Sequence, residues 1–184
     1  MNPGRKLYAR LKSNFPFQPN AVQEEGLIAL TQFLISEDPL EIFVLKGYAG
    51  TGKTTLIAAL VNSVSVLGYS TVLLAPTGRA AKVMSRYSGR RAFTIHRGIY
   101  HSVRDPEGRT TFRLQKNKYK RTVFVIDEAS MISTESGGLL LRSSRSLLED
   151  TLRFVLTGKG CRLILVGDQA QLPPIELDLS LIHI

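Results

Sequence analysis

The 184-residue chain is long enough for one domain with a proper core, and its 43% hydrophobic and 21% charged content is that of an ordinary globular protein. No apolar run is long enough to cross a membrane, no apolar stretch follows the basic residues 1–6 as a secretory signal requires, and the single cysteine, Cys161, excludes an internal disulfide, all of which suits the cytosol. The net charge of +9 is uneven: thirteen Lys and Arg against two acidic residues between Arg79 and Arg121 give that segment +11 and leave the rest at −2, which favours a polyanionic partner over a merely solvated face.

Apolar positions at Ala21, Leu27, Ile28, Leu30, Phe33 and Leu34 predict an amphipathic helix over 21–35. Residues 41–45 read as a short buried strand. It leads into Gly47-Tyr48-Ala49-Gly50-Thr51-Gly52-Lys53-Thr54, which fits the template G-x-x-x-x-G-K-[ST] at every fixed position. A helix over 52–67, closed by Gly68, follows. This strand–loop–helix setting gives the pattern a mechanism. The glycines let backbone wrap closely around phosphates, and their amides, with the positive end of the helix, form an anion cradle. Lys53 can reach β- and γ-phosphates, and Thr54 can ligand Mg²⁺.

A second buried strand over 71–75 is stopped by Pro76, and 78–87 reads as a helix. The polar stretch 101–120 carries a turn signal at Asp105-Pro106-Glu107-Gly108. The alternating Thr110–Leu114 after it predicts a small hairpin, with a solvated loop as the alternative. Residues 121–126 form a third apolar strand, 133–146 a loop rich in Ser and Gly, Leu147–Leu156 a helix, and 162–166 a fourth apolar strand, with Cys161 before it as a small core residue. Strands alternating with helices predict an α/β domain: a mostly parallel sheet with helices on both faces.

Two strand ends carry polar groups. The third strand runs into Asp127-Glu128, where the first carboxylate can hold the Mg²⁺ that bridges phosphate oxygens and the second can orient or deprotonate an attacking water. The fourth runs into Gly167-Asp168-Gln169-Ala170-Gln171, followed by the stiff Pro173-Pro174. A neutral amide such as Gln171 can report whether a γ-phosphate is present.

Five segments together resemble motifs I, Ia, a Ib-like element, II and III of superfamily-1 DNA helicases: 47–55, 75–82, Thr94-Ile95-His96-Arg97, Asp127-Glu128-Ala129-Ser130 and 167–174. The wording is closest to the RecD-like and Dda-like branch, which moves 5′ to 3′, and the resemblance covers roughly 15–178. It implies a RecA-like P-loop NTPase domain (1A) that binds ATP and Mg²⁺ and works on single-stranded DNA. In the ATP site it implies a loop made of Gly47, Gly50, Thr51, Gly52, Lys53, Thr54 and Thr55. Asp127 is then the Mg²⁺ ligand with Thr54, Glu128 the catalytic base, and Gln171 the group that couples γ-phosphate to DNA. Gln23 aligns with the glutamine that reads adenine, although its neighbours depart from the family wording, and a glutamine that merely starts a helix is the alternative. Pro76, Thr77, Gly78 and Arg79, with Thr94 and His96, would touch the DNA backbone. The polar segment 100–120 falls where relatives carry the hairpin domain 1B, with Phe112 or Tyr100 as its aromatic wedge.

The same resemblance implies a second RecA-like domain, with motifs IV to VI and arginines that reach the γ-phosphate, and nothing after Ile175 reads as one. The last six residues, 179–184, match the translation of a transposon-type sequencing adapter, CTG TCT CTT ATA CAC ATC. They are expected to be a non-native tail on a truncated helicase motor whose fragment is inactive alone, the alternative being a natural short strand. The competing functions are a motor subunit of a helicase–nuclease or relaxase-linked system, and a P-loop module that clamps DNA without turnover. A usable base at Glu128 argues against the last.

Overall fold

The computed structural model describes residues 2–104, 108–132 and 145–168, and the backbone of 179–183. In chain order its elements are α1 (Pro3–Ser13), α2 (Ala21–Ile35), β1 (Ile42–Lys46), α3 (Lys53–Ser63), β2 (Ser70–Ala75), α4 (Gly78–Ser88), β3 (Ala92–Thr94), α5 (Ile95–Ile99), β4 (Tyr100–Arg104), β5 (Thr110–Leu114), β6 (Thr122–Ile126), α6 (Leu147–Leu156), β7 (Arg162–Gly167) and β8 (Leu179–His183). Gln171 and the Pro-Pro pair lie outside the described residues.

Six strands form one parallel sheet in the order β3-β2-β6-β7-β1-β8. Because strand side chains alternate, each central strand feeds two cores. Phe43 and Leu45, Val123 and Val125, and Ile164 and Val166 point to the face covered by α1, α2, α3 and α4. Ile42 and Val44, Phe124 and Ile126, and Leu163 and Leu165 point to the face covered by α5 and α6. Burial on both sides explains why these strands read as continuous apolar runs. Cys161 is buried at the second core, where desolvation pushes its thiol pKa up.

Several local signals explain the helices. Asn20 and Gln23 make a reciprocal capping box at the start of α2, whose limits are those predicted. α1, which the sequence reading left out, begins with the Asn2 side chain accepting from the Gly4 amide and with Pro3 in its first turn. Its Leu7 and Leu11 are buried, and Tyr8 and Lys12 both donate to Glu24 of α2. The helix predicted over 52–67 is α-helical only to Ser63. A 3-10 turn, Val64–Leu67, tightens it before Gly68 at φ 74°.

The polar insert is a hairpin: β4 and β5 pair antiparallel from Tyr100↔Leu114 to Arg104↔Thr110. Its aromatic residues are not at its tip. Tyr100 is 6% exposed and its hydroxyl donates to Asp150 of α6 at 2.8 Å, while Phe112 packs half-buried against the second core. Tyr100 is therefore corrected from candidate wedge to base of the hairpin, because its phenol is spent on a buried carboxylate. The backbone of 179–183, expected to be a tail, forms β8 beside β1 with Ile42 opposite Leu179.

Candidate active site

Register brings the predicted groups to one edge of the sheet. Lys46 at the end of β1 lies opposite Gly167 at the end of β7, and Leu165 lies opposite Ile126 at the end of β6. The phosphate-type loop, Asp127-Glu128 and Asp168 thus leave three adjacent strands at the same carboxyl edge, where ligands bind in such sheets. They line one cleft of about 470 Å³, with Gly50, Gly52, Lys53, Thr54 and Thr55 on one wall and Tyr87, Asp127, Glu128 and Asp168 on the other.

The loop has the build of an anion cradle. Gly50 and Gly52 have φ of 81° and 99°, in the left-handed region that favours glycine. A Cβ on Gly50 would meet nothing within 4 Å, but one on Gly52 would sit 2.6 Å from Nε2 of Gln23. Gly52 is the N-cap of α3 and brings no side-chain cap, so the first amides of the helix face an anion undiminished. Lys53 Nζ donates to the carbonyls of Gly47 and of Tyr48, the latter at 2.7 Å, which fixes the ammonium over the loop and leaves one of its three hydrogens for a phosphate oxygen.

Gln23 belongs to this loop as well as to α2. Its Oε1 accepts from the Asn20 amide at 3.2 Å, its Nε2 donates to the Thr51 carbonyl at 3.1 Å, and the residue is 7% exposed. One amide hydrogen remains for a base edge.

The carboxylate wall is equally ordered. The Asp127 amide donates to Leu74 of β2, which carries the strand pairing one residue past β6. Its Oδ1 accepts from the Glu128 amide at 3.0 Å and its Oδ2 from the Tyr87 hydroxyl of α4 at 2.8 Å. Burial, then the Asp127 and Glu128 charges, push the Tyr87 phenol far above its ordinary value, so it stays a donor. Glu128 is exposed and has φ 55°, a left-handed conformation that costs about 1–2 kcal/mol for a residue with a Cβ. A 3-10 turn, Ala129–Met131, starts on it. Neither Tyr87 nor the backbone of Glu128 was legible as part of the site: forty residues separate Tyr87 from Asp127, and no residue type announces the turn.

The residues fit Mg²⁺. A hydroxyl (Thr54) and a carboxylate (Asp127) are hard oxygen donors in one cleft. Among the described residues no cluster of three or more His, Cys, Asp or Glu forms a metal cage. That is the mode of a cation held by one or two protein oxygens together with substrate phosphates.

The candidate DNA residues gather on a neighbouring stretch of the same edge. Ala75 pairs with Thr94 at the ends of β2 and β3, so the segments 76–79 and 94–96 emerge side by side. Thr77 caps α4 through the Ala80 amide at 3.2 Å and Thr94 caps α5 through the Arg97 amide at 3.3 Å. Both hydroxyls therefore keep only their own hydrogen for a phosphate. Thr77, Gly78, Arg79 and His96 are exposed, Pro76 is half-buried, and His96 stacks on Tyr100 with centroids 5.8 Å apart. A second cleft joins Thr77, Arg79 and Ala80 to Asp127, Glu128 and Met131. All thirteen basic residues between Arg79 and Arg121 are exposed. Some have partners already: Arg91 and Arg97 lie over the Phe93 ring at 5.0 and 5.4 Å, and Arg121 lies over Tyr69 and donates to the Leu67 carbonyl.

Comparison with known proteins agrees with this geometry. The model of a family described as "AAA domain" matches residues 21–180. The ATP-dependent RecD2 DNA helicase of Deinococcus radiodurans is 33% identical over 141 residues, 77% of this chain and 17% of that protein. The ATP-dependent DNA helicase dda of Enterobacteria phage T4 is 30% identical over 135 residues, 72% of this chain and 28% of its own length. The RecBCD enzyme subunit RecD of Mycolicibacterium smegmatis is 30% identical over 154 residues, 72% of this chain and 26% of its own. The chain thus spans at most 28% of the length of these three relatives.

Proposed function

This chain belongs to the AAA domain family and resembles superfamily-1 helicases of RecD- and Dda-like type, and on that premise we propose that it is the ATP-binding motor domain of a helicase that moves 5′ to 3′ on single-stranded DNA. The observation that carries the reading is the single cleft that joins Lys53 and Thr54 to Asp127 and Glu128. Amides of the loop and the α3 N-terminus bind the β- and γ-phosphates, and Lys53 bridges them. When bound, Mg²⁺ on Thr54 and Asp127 supplies charge neutralisation across the phosphate oxygens. Glu128 orients a water in line with the γ-phosphorus and accepts its proton. The new P–O bond forms as the bond to the bridging oxygen breaks, which releases ADP and phosphate.

The DNA strand runs along Pro76–Arg79, Thr94 and His96, held by hydroxyls, amides and a guanidinium, with the basic segment as its electrostatic track. The hairpin of β4 and β5 takes the place of domain 1B at the duplex junction. Gln171 senses the γ-phosphate. Full turnover draws on arginines from a second RecA-like domain. In related NTPases such an arginine is worth ~10³–10⁵ in rate, so these 184 residues alone hydrolyse ATP slowly. The likeness to a RecBCD subunit favours a helicase–nuclease motor as the second reading.

Glu128→Gln tests the assignment in single-turnover hydrolysis with full-length protein. The variant should bind ATP as the wild type does and lose at least ~10²-fold in hydrolysis, the usual worth of a positioned base. Wild-type hydrolysis would place the base elsewhere.

A further inference from the structure

We propose that Tyr87 is a positioning residue for the metal site: its hydroxyl, bound to Oδ2 of Asp127 at 2.8 Å, sets the carboxylate in the orientation that receives the divalent cation. The inference rests on the reading of Asp127 as the cation ligand.

A carboxylate at a strand end can turn about its terminal torsion, which is broad and roughly two-fold. Here both oxygens are pinned, Oδ1 by the Glu128 amide at 3.0 Å and Oδ2 by Tyr87. The Glu128 bond is local, between neighbours in sequence, and travels with the turn. The Tyr87 bond spans forty residues and ties the carboxylate to a different element, so it holds the side chain of Asp127, whose amide is already held by Leu74, against the packed body of the domain. A carboxylate has about four lone-pair sites, so one donor on each oxygen leaves each oxygen free to face a cation. Tyr87 lines the same cleft as Lys53 and Thr54, the groups read as phosphate and cation ligands.

The support of Tyr87 is independent of its hydroxyl. Ser85 Oγ accepts from the Ala92 amide at 2.9 Å and donates to Ala81, which holds the end of α4 against β3. Ser88 Oγ donates to the Met84 carbonyl at 2.6 Å, and Gly89 closes the helix at φ 67°. Met84 and Ala81 bury the inner face of the helix. Removing one oxygen from Tyr87 therefore removes an outer bond of a metal ligand while the helix stays in place. Such partners of a ligand commonly carry ~10–100-fold in metal affinity or activity.

The test uses the full chain with Mn²⁺ in place of Mg²⁺, read by electron paramagnetic resonance of free and bound Mn²⁺ at saturating ATP. Tyr87→Phe should weaken Mn²⁺ binding by ~10-fold or more. Its ATP affinity in EDTA and its melting temperature should match the wild type, which a merely structural role would not allow. Asp127→Ala is the control, and it should abolish the ATP-dependent Mn²⁺ site. If Asp127→Ala loses the metal while Tyr87→Phe keeps wild-type affinity, the proposal fails and the reading of Asp127 stands. If Asp127→Ala keeps the metal, the reading of Asp127 fails and takes the role of Tyr87 with it. A Tyr87→Phe variant that loses metal, EDTA-resistant ATP binding and thermal stability together would show a packing residue, and would overturn the proposal.

Discussion

Gln23 reaches from the first turn of α2 to the Thr51 carbonyl of the phosphate-type loop, 3.1 Å from Nε2, while its Oε1 closes the capping box with Asn20. One side chain thus caps the start of a helix and holds a loop. Gly52, with φ 99°, is the neighbour that leaves room for it.

The first prediction follows from that contact. If Gln23 serves chiefly to hold the loop, Gln23→Ala should weaken ATP and GTP binding by the same factor, up to ~10-fold for a part-buried hydrogen bond. Titration of both nucleotides by fluorescence checks it. A loss confined to ATP would instead show that the remaining amide hydrogen reads adenine.

The basic segment should divide into phosphate contacts and structural cations. Arg79→Ala should reduce the slope of log K against log salt for single-stranded DNA by ~0.7, the share of one phosphate. Arg121→Ala should leave the slope alone and lower Tm by ~2 °C, because that guanidinium is committed to the Leu67 carbonyl and the Tyr69 ring. Salt titrations at matched DNA length, with melting curves, separate the two. Equal slopes for wild type and Arg79→Ala would remove Arg79 from the track.

The Tyr100–Asp150 bond at the hairpin base predicts an alkaline response. Burial, then the bond to Asp150, raise the Tyr100 phenol above its ordinary pKa of ~10. In the unfolded chain the phenol loses its proton near that value while the folded chain keeps it. The stabilisation is therefore complete below pH ~10 and is lost as pH rises through the folded value. Melting temperature followed upward from pH 9 should fall less steeply in Tyr100→Phe than in the wild type. Parallel curves would show that this phenol is not linked to folding.

Much of this architecture was legible. Continuous apolar runs at β1, β2, β6 and β7 announced strands buried on both faces, and the apolar positions from Ala21 to Leu34 announced α2. What escaped was short or depended on distant partners. β3 has three residues and α5 five, too few to show a period, and α1 announces itself only through Asn2 and Pro3. Residues 179–183, expected to be a tail with a short strand as the alternative, pair their backbone with β1. The loop and the carboxylates, which share one cleft, were legible as candidates because their pattern is bound to local spacing. Gln23's hold on Thr51, Tyr87's on Asp127 and the left-handed Glu128 arise only when separate elements meet.

The central claim is that the loop and the Asp127-Glu128 wall form one ATP site, and equilibrium binding of a fluorescent ATP analogue to Lys53→Ala tests it most directly. Lys53 is held over the loop by two carbonyls and is the cation of the cleft that the loop shares with Asp127 and Glu128. Its loss should remove a charge-assisted bond worth ~1.5–3 kcal/mol, or ~10–100-fold in affinity. Melting temperature should stay unchanged. Wild-type affinity in Lys53→Ala would contradict the account, because ATP would then be bound without the loop.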